Sequence, residues 1–209
     1  MYNFGYIKSE LDGSEDKYRL STNMELPKEF SYINDLPPVM NQGSNPICVT
    51  CSCSAYLNWK VGMEKAKPID AGVNLFEIYN AKSNVGDGMT YKAAFDFLVR
   101  KGVHSNEGLL KIGGYALVKG PRHLKGALIE NGPCFGALMV YGNRYGEMDD
   151  EFWKKTDNCM GGHAISIVGY TEEGFIIRNS WGKGYGKNGY ILLKNQDFGD
   201  FLEIWTVIK

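Results

Sequence analysis

Three cysteines lie within six residues of one another, and their type and spacing could carry chemistry: Cys48, Cys51 and Cys53. Cys48 comes two positions after Pro46, at the predicted start of a helix. The free N–H groups and the partial positive charge of a helix N-terminus favour a thiolate there. A free cysteine is more commonly a small buried apolar residue. Position alone therefore leaves two interpretations of Cys48 open, a nucleophile and a core residue.

The same run contains a C-x-x-C pair, which in other proteins forms a redox site or half of a zinc site. A tetrahedral zinc site needs a second pair of cysteine or histidine ligands at compact spacing, and none of the three histidines provides one. We therefore expect Cys51 and Cys53 to pack in the core, with no metal ion and no other cofactor bound. The odd number of cysteines, five, argues against a disulfide framework.

Two further candidate residues lie in the second half of the chain. His163 follows Gly161 and Gly162 at the start of a strand-like run, so it could approach a cleft closely or be an ordinary core or surface histidine. Asn179 and Trp181 belong to a glycine-rich block, whose purely structural interpretation is a hairpin capped by the tryptophan. Taken singly, neither block identifies a function.

The sequence pattern predicts that the elements which position these residues are helices in the first part of the chain and strands in the second part. Residues 48–63 contain no helix breaker except Gly62 and have apolar or small side chains on both faces, which indicates a buried helix. This order of elements is typical of the α+β class. The pattern predicts further helices at about 74–82, 90–102 and 121–131, and β-rich runs at 134–140, 163–170, 174–179, 188–194 and 202–208.

Taken together and in this order, four short motifs resemble those of the papain-like cysteine peptidases. His163 and Asn179 follow Cys48 by 115 and 131 positions, against the ~130–150 positions typical of that family. The resemblance runs from about Leu26 to the C-terminus. The motifs are Gln42-Gly43-Ser44, Cys48 six residues after Gln42, Gly162-His163-Ala164 and Asn179-Ser180-Trp181-Gly182.

Some features of the family are missing. The residues around the nucleophile, Asn45-Pro46-Ile47-Cys48-Val49, contain neither the usual preceding cysteine nor the usual aromatic residue after it. Gly162 stands where the family often has Asn or Asp before the histidine, and the long helical pro-region of lysosomal members is absent. The sequence therefore resembles the smaller bacterial or phage branch of the family, without disulfides.

The resemblance implies a papain-like fold, with a helical N-terminal lobe, an antiparallel β C-terminal lobe and the active site in the cleft between them. We expect an N-terminal extension at residues 1–25 and a peptidase domain at 26–209. Within that domain, about 26–110 form the mostly helical lobe and about 111–209 the mostly β lobe.

The resemblance also implies roles for single residues. Cys48 would be the nucleophile and His163 its base, as a thiolate–imidazolium pair at neutral pH. Asn179 would accept a hydrogen bond from the other ring nitrogen of His163, with Trp181 shielding that bond. Gln42 and the Cys48 backbone N–H would form the oxyanion hole. The implied activity is that of a cysteine endopeptidase that works through a covalent acyl-enzyme.

Four residues are predicted to border the substrate groove, by analogy with the family: Asp87, Gly88, Met89 and Gly162. The implied substrate is a protein or peptide. Two other functions remain as alternatives, a papain fold without activity that serves as a binding or structural module, and a thiol transpeptidase or isopeptidase that uses the same residues. The presence of the complete Gln-Cys-His-Asn set favours an active enzyme.

The charge balance and the N-terminus suggest a location and exclude some partners. With 23 basic and 24 acidic side chains the net charge is −1, so nothing favours binding to nucleic acid or to an anionic membrane. No run approaches the ~18 apolar residues of a membrane-spanning helix, and the N-terminus lacks the pattern of a secretory signal. We expect a cytoplasmic monomer of bacterial or phage origin, with association with virions as an alternative location.

The polar N-terminal extension is a candidate for regulating the enzyme. Its aromatic residues could anchor it across a cleft, and a segment of the same chain binds at a high effective concentration. The alternative is that the extension packs on the back of a lobe and adds stability. The aromatic residues are Tyr2, Phe4, Tyr6 and Tyr18.

Overall fold

The computed structural model describes residues 4–21, 23–82, 86–141 and 159–208. The α-helices of the described part are α1 (Cys48–Lys65), α2 (Leu75–Tyr79), α3 (Tyr91–Arg100) and α4 (Pro121–Asn131). Its strands are β1 (Phe30–Ser31), β2 (Val103–Ser105), β3 (Gly108–Leu110), β4 (Gly114–Leu117), β5 (Cys134–Tyr141), β6 (Cys159–Tyr170), β7 (Gly174–Arg178), β8 (Tyr190–Lys194) and β9 (Phe201–Ile208).

One antiparallel sheet forms the framework of the second half of the chain. Among the described residues it has seven strands, in the order β4-β9-β5-β6-β7-β8, with β1 paired to β6 outside that path. The strands β2 and β3 form a separate hairpin. Because β6 is hydrogen-bonded to β5 and β7, side chains on β6 are held in a rigid interior strand.

Helix α1 is buried along most of its length because it packs between the sheet and the other helices. Ser52 Oγ on this helix donates a hydrogen bond to Ile165 O on β6 at 3.0 Å. The hydroxyl of Tyr91 on α3 lies 3.0 Å from the same carbonyl and 2.9 Å from Gly136 O on β5. These polar contacts satisfy buried hydroxyls and attach the helices to the sheet at a defined position.

Local sequence signals define the helix ends. Thr90 Oγ1 accepts a hydrogen bond from Ala93 N at 3.1 Å and caps α3, and Pro121 opens α4, where its missing N–H is not needed. The residue after α4 is Gly132, whose φ of +95° favours glycine. A side chain there would also collide with Trp59 of α1, because a Cβ would lie 2.2 Å from the indole ring.

The predicted α+β class is confirmed, and most predicted elements are present. Helix α4 has the predicted bounds, α1 continues two residues further to Lys65, and α2 is shorter than the predicted 74–82. The sequence pattern does not predict β1 to β4, because strands of two to four residues are too short to show a periodicity. None of the described helices is long and apolar enough to cross a membrane.

The N-terminal segment, residues 4–21, runs along the protein in two parts. In the first part, Tyr6 forms a parallel bridge with Met89 beside the start of α3. In the second part, Lys17 bridges to Leu117 of β4, and Tyr18 donates a hydrogen bond to Glu130 of α4 at 2.5 Å. Both halves of the chain thus contact this segment, and the division at residue 25 stays a prediction.

Candidate active site

Cys48 is the first residue of α1, the position predicted from the proline before it. The preceding Ile47 has non-helical backbone angles, and its carbonyl accepts the first helical hydrogen bond, from Cys51 N at 2.9 Å. The first N–H groups of a helix have no intrahelical partner and place partial positive charge near this thiol. The cysteine is completely buried.

His163 lies on β6, opposite Leu138 of β5, and its side chain is completely buried. Its Nε2 lies 2.8 Å from Asn179 Oδ1. The same oxygen accepts a hydrogen bond from Ser180 N at 2.8 Å, so the amide oxygen rather than the nitrogen faces the ring. An oxygen acceptor requires a proton on Nε2. Nδ1, which has no partner among the described residues, is therefore the nitrogen available for proton transfer.

Trp181 covers the pair formed by His163 and Asn179. Its buried indole is stacked on the imidazole, with ring centroids 4.6 Å apart and planes inclined by 26°. The loop that carries it is tied to the segment before α1, because Gly182 N donates to Met40 O at 2.9 Å. A stacked ring keeps water from one face of the imidazole, and a hydrogen bond shielded from water is stronger.

Gln42 joins the loop before α1 to the loop after β7. Its backbone N–H donates to Ser180 O at 2.8 Å, and its side-chain oxygen accepts from Ser180 Oγ at 2.5 Å. Its Nε2 donates to Asn45 O at 2.9 Å. An amide nitrogen is a hydrogen-bond donor, which is the role that the sequence analysis gives Gln42 toward a developing oxyanion. The predicted donor is thus held rigidly, in part by Ser180, a residue 138 positions further along the chain.

The predicted groove residues lie where the N-terminal segment crosses the protein. Met89 N donates to Gly5 O at 2.7 Å, and Ile7 N donates to Met89 O at 3.0 Å. Gly88 is buried against the same segment, because a Cβ on it would lie 3.0 Å from Gly5 O. Asp87 is exposed. The segment therefore pairs with Met89 as an added strand would, and it packs against Gly88.

Aromatic side chains of the segment cover the wall formed by β6. A Cβ on Gly162 would lie 2.5 Å from the ring of Tyr6, so the glycine before the histidine makes room for that ring. The ring of Phe4 meets His163 and Trp181 edge-on, with centroids 6.2 and 6.3 Å away. Of the aromatic residues expected to anchor the extension, Phe4 and Tyr6 thus lie at the site, and Tyr2 lies outside the described residues.

Gly5 closes the site directly over the nucleophile. Its backbone N–H lies close enough to the Cys48 sulfur to favour the thiolate form. A Cβ on Gly5 would lie 1.9 Å from Pro46 O, so only glycine fits at this position. Residues 4–6 therefore cover Cys48, whereas Tyr18, also expected in the cleft, binds α4 instead.

Burial dominates the pKa values of the covered pair. It raises the pKa of Cys48 to about 11, although the backbone N–H groups of Ala164 and Gly5 act in the opposite direction. It lowers the pKa of His163 to about 4, although the hydrogen bond with Asn179 favours the charged form. In the covered site, desolvation therefore disfavours both charges of the expected thiolate–imidazolium pair. The pair in the uncovered site stays a prediction.

Glu203 of β9 is a candidate site residue that no sequence motif reveals. Its buried carboxylate accepts a hydrogen bond from Ser9 Oγ at 3.1 Å, across 194 positions of sequence. The Tyr6 hydroxyl faces the same carboxylate, and its pKa is raised by burial and by this negative charge. Neither that hydroxyl nor Glu203 Oε2 makes a well-formed hydrogen bond with another described residue.

Within the described ranges, no three His, Cys, Asp or Glu side chains converge as ligands for a metal ion. All five cysteines are free thiols, of which only Cys159 is exposed. Cys51 and Cys53 are buried in α1, where the sequence analysis places them.

Comparison with known proteins identifies relatives of this chain. A family model described as papain family cysteine protease matches residues 74–201, more than half of the chain. His163 and Asn179 lie inside the match, and Gln42 and Cys48 lie before it. A gut-specific cysteine proteinase of Caenorhabditis elegans is 30% identical over 90 residues, which are 41% of this chain and 27% of that protein. This match thus spans about a quarter of the relative's length.

Solved structures share the fold over nearly the whole chain. Xylellain, a cysteine protease from Xylella fastidiosa, has a TM-score of 0.84 at 20% identity, covering 98% of this chain and 95% of its own. Procathepsin B from Trypanosoma congolense has a TM-score of 0.81 at 15% identity, covering 99% and 87%. The shared fold includes the part before residue 74, and the papain-like architecture expected from the motifs is confirmed.

Proposed function

The chain belongs to the papain family of cysteine proteases, and from this we propose that it hydrolyses peptide bonds with Cys48 as nucleophile and His163 as base. The observation that carries the proposal is the 2.8 Å contact between His163 Nε2 and Asn179 Oδ1, which leaves Nδ1 for the thiol. The position of Cys48 at the N-terminus of α1 supports it independently, because this position favours the thiolate.

The proposed reaction follows from these residue types once the cover has left. The Cys48 thiol passes its proton to Nδ1 of His163, and the thiolate attacks the carbonyl carbon of the peptide bond. The imidazolium gives this proton to the leaving amine, and the acyl group stays on sulfur. A water molecule that loses a proton to His163 then releases the acid. The Gln42 amide and the Cys48 N–H bind the oxyanion, and one such donor contributes about 2.7–4 kcal/mol in other hydrolases.

The state with residues 4–6 over Cys48 is proposed to be a latent form of the enzyme. No substrate carbonyl reaches the sulfur while Gly5 lies on it, and burial disfavours the charged form of both partners. Displacement of the segment admits water and removes the desolvation that disfavours the ion pair. The contacts of Tyr18 and Leu20 with α4 do not depend on the cleft, so the segment can open at one end while the other stays bound.

An electrophilic peptidyl epoxide tests the proposed nucleophile. We expect it to abolish hydrolysis of a fluorogenic peptide and to label Cys48 alone, because Cys48 is the cysteine at a helix N-terminus, where the thiolate is favoured. Peptide mass mapping identifies the labelled residue. A label on Cys51 or Cys53, or full activity after complete labelling of Cys48, would contradict the assignment. Single turnover with an amine acceptor present distinguishes hydrolysis from transpeptidation.

The pocket filled by Tyr6 supports a proposal about the substrate. When the segment leaves, Glu203 loses the hydroxyl of Ser9 and the neighbouring phenol of Tyr6, and no described cation lies within ion-pair distance of it. A carboxylate at the base of a partly buried pocket is best satisfied by a cationic side chain that donates hydrogen bonds. We therefore propose that this pocket prefers an arginine or lysine side chain of the substrate.

Glu203→Gln separates charge from shape in this pocket, because the two side chains have nearly the same size. We expect kcat/KM for the best arginine-containing peptide to fall about 10–100-fold, since a hydrogen bond to a charged group contributes about 1.5–3 kcal/mol. The matched leucine peptide should change less than about threefold. A set of peptides varied one position at a time, assayed with both enzymes, provides the measurement. An unchanged arginine preference in the variant would exclude this role for Glu203.

Family membership indicates protein or peptide substrates. The monomeric state, the lack of nucleic-acid and membrane partners, the cytoplasmic location and the bacterial or phage origin remain predictions from the sequence.

A further inference from the structure

The proposed mechanism leaves one buried thiol beside the nucleophile without a role. Cys51 is 3% exposed and Cys48 is completely buried, and both lie in the first turn of α1. Three residues apart on a helix, they are neighbours on the same face. A second thiol next to a reactive one has a chemical consequence whenever the reactive one is oxidised.

The backbone geometry of the helix permits a bond between these two sulfurs. Residues three apart on an α-helix have Cα atoms about 5 Å apart, inside the range of about 4.4–6.8 Å found for disulfides. Their Cβ atoms are about 5–6 Å apart, whereas a disulfide needs about 3.5–4.5 Å. A tightening of the first turn by about 1–2 Å therefore suffices.

The first turn of α1 is a place where such tightening is feasible. The N–H of Cys48 is one of the first N–H groups of the helix, which have no intrahelical partner. A rotation of the backbone at Cys48 therefore breaks no helical hydrogen bond that Cys48 donates. Cys51 borders a cavity of about 10 Å³, together with Ala164 of β6, which leaves its side chain some freedom to move. The backbone N–H of Ala164 also faces the Cys48 sulfur. Both cysteines therefore lie near the same residue of β6.

We propose that Cys48 and Cys51 form a reversible disulfide when peroxide oxidises the uncovered enzyme, which protects the nucleophile from irreversible oxidation. The inference rests on the proposed function, because a reactive Cys48 thiolate starts the reaction. Its sulfur attacks one oxygen of hydrogen peroxide, the O–O bond breaks, and hydroxide leaves. Cys48 is then a sulfenic acid, oxidised by two electrons, and the peroxide is reduced.

The second step needs no further oxidant. The Cys51 sulfur attacks the Cys48 sulfur, the S–O bond breaks, and the departing hydroxide takes the thiol proton and becomes water. A dithiol reductant restores both thiols by exchange. Without a neighbouring thiol, the sulfenic acid is oxidised further to a sulfinic acid, which ordinary thiols do not reduce.

The same helix provides a matched control in Cys53. The Cα atoms of Cys53 and Cys48 are about 9 Å apart in an α-helix. This distance exceeds the ~7 Å limit for a disulfide that forms without backbone movement. Cys53 is as buried as Cys48 and has the same chemistry. Exposed Cys159 serves as an internal reference for the peroxide dose.

The test treats the full chain with hydrogen peroxide and compares wild type with Cys51→Ser, Cys51→Ala and Cys53→Ser. In wild type and Cys53→Ser we expect a Cys48–Cys51 bridge, about 2 Da lighter than the two thiols, together with a loss of activity that dithiothreitol reverses almost completely. Both Cys51 variants should instead carry a Cys48 about 32 Da heavier and recover less than about a tenth of their activity.

Three results would overturn the inference. They are a wild-type Cys48 that becomes sulfinic without a bridge, Cys51 variants that recover as wild type does, and a Cys48 that stays reduced at peroxide doses that oxidise Cys159 in a full-length chain carrying Gly5→Ala, which displaces the cover. The mass of the bridge is measured without any assay of hydrolysis. A chain that forms the bridge, but whose reduced form cleaves no peptide, would refute the proposed function and leave the disulfide inference standing.

Discussion

Cys48→Ala is expected to lower kcat/KM for a peptide substrate by about 10⁶-fold, and His163→Ala by a similar factor, as for the corresponding pair in a serine protease. Without the thiol no acyl-enzyme forms, and without the imidazole nothing takes or returns the proton. Rates should be measured on a chain lacking residues 1–10, so that release of the cover does not limit them. Cys53→Ala, on the same helix, is the control and should stay within about threefold of wild type.

Asn179→Ala should lower kcat/KM less, by about 10⁴-fold. Asn179 holds the imidazole through Oδ1 at 2.8 Å and transfers no proton itself. Equal losses for the Asn179 and His163 variants would show that its positioning role is wrong. Activity retained by Cys48→Ala would exclude the thiol mechanism altogether.

Deletion of residues 1–10 is expected to raise kcat/KM about 10–100-fold over the full chain. A segment tethered to its own site competes with substrate at an effective concentration in the millimolar range, so even weak contacts keep the site covered. This deletion removes Phe4, Gly5 and Tyr6 but keeps the contact of Tyr18 with Glu130, so the stabilising part of the segment remains. Initial rates on a small peptide measure the effect.

Gly5→Ala tests the same cover without removing any residue. The added Cβ would lie 1.9 Å from Pro46 O. This collision must displace the segment, so we expect kcat/KM to rise, as in the deletion. Gly13→Ala is the matched control: its φ of +89° makes the substitution strained, but no atom lies within 4 Å of the added Cβ. Unchanged rates in both the deletion and Gly5→Ala, with a lowered melting temperature, would show that residues 4–9 only stabilise the fold.

The pH dependence of alkylation gives a second measurement for these variants. In the covered site the pKa of Cys48 is raised to about 11 because the thiol is buried. Removal of the cover ends that desolvation, so the midpoint of iodoacetamide alkylation should shift to lower pH in the deletion and in Gly5→Ala. A midpoint that stays the same would mean that residues 4–6 do not control the charge of the thiol.

Much of the architecture follows from local patterns in the sequence. Helix α4 begins at a proline and ends before a glycine, both of which signal a helix end through local backbone geometry, and Thr90 caps α3 in the same local way. The motifs around Cys48, His163 and Asn179 indicate the family because their order is that of the family, with a normal spacing for Asn179 and a slightly shorter one for His163. The short strands β1 and β4 escape such analysis because they are held by pairing with residues far along the chain. The strands β2 and β3 pair with each other but are too short to show a periodicity.

What the sequence by itself determined is therefore which residues could act and which helices and strands would present them. The tertiary structure alone decided how they meet: that Gly5 lies on Cys48, that Ser9 binds Glu203 across 194 positions, and that Tyr18 turns away to α4. It also decided their charge, because the pKa of a thiol or imidazole depends on how much water surrounds it. Periodicity and capping act over a few residues, whereas burial is a property of the packed molecule. A sequence motif can thus name a nucleophile, and only the packing shows that it is covered.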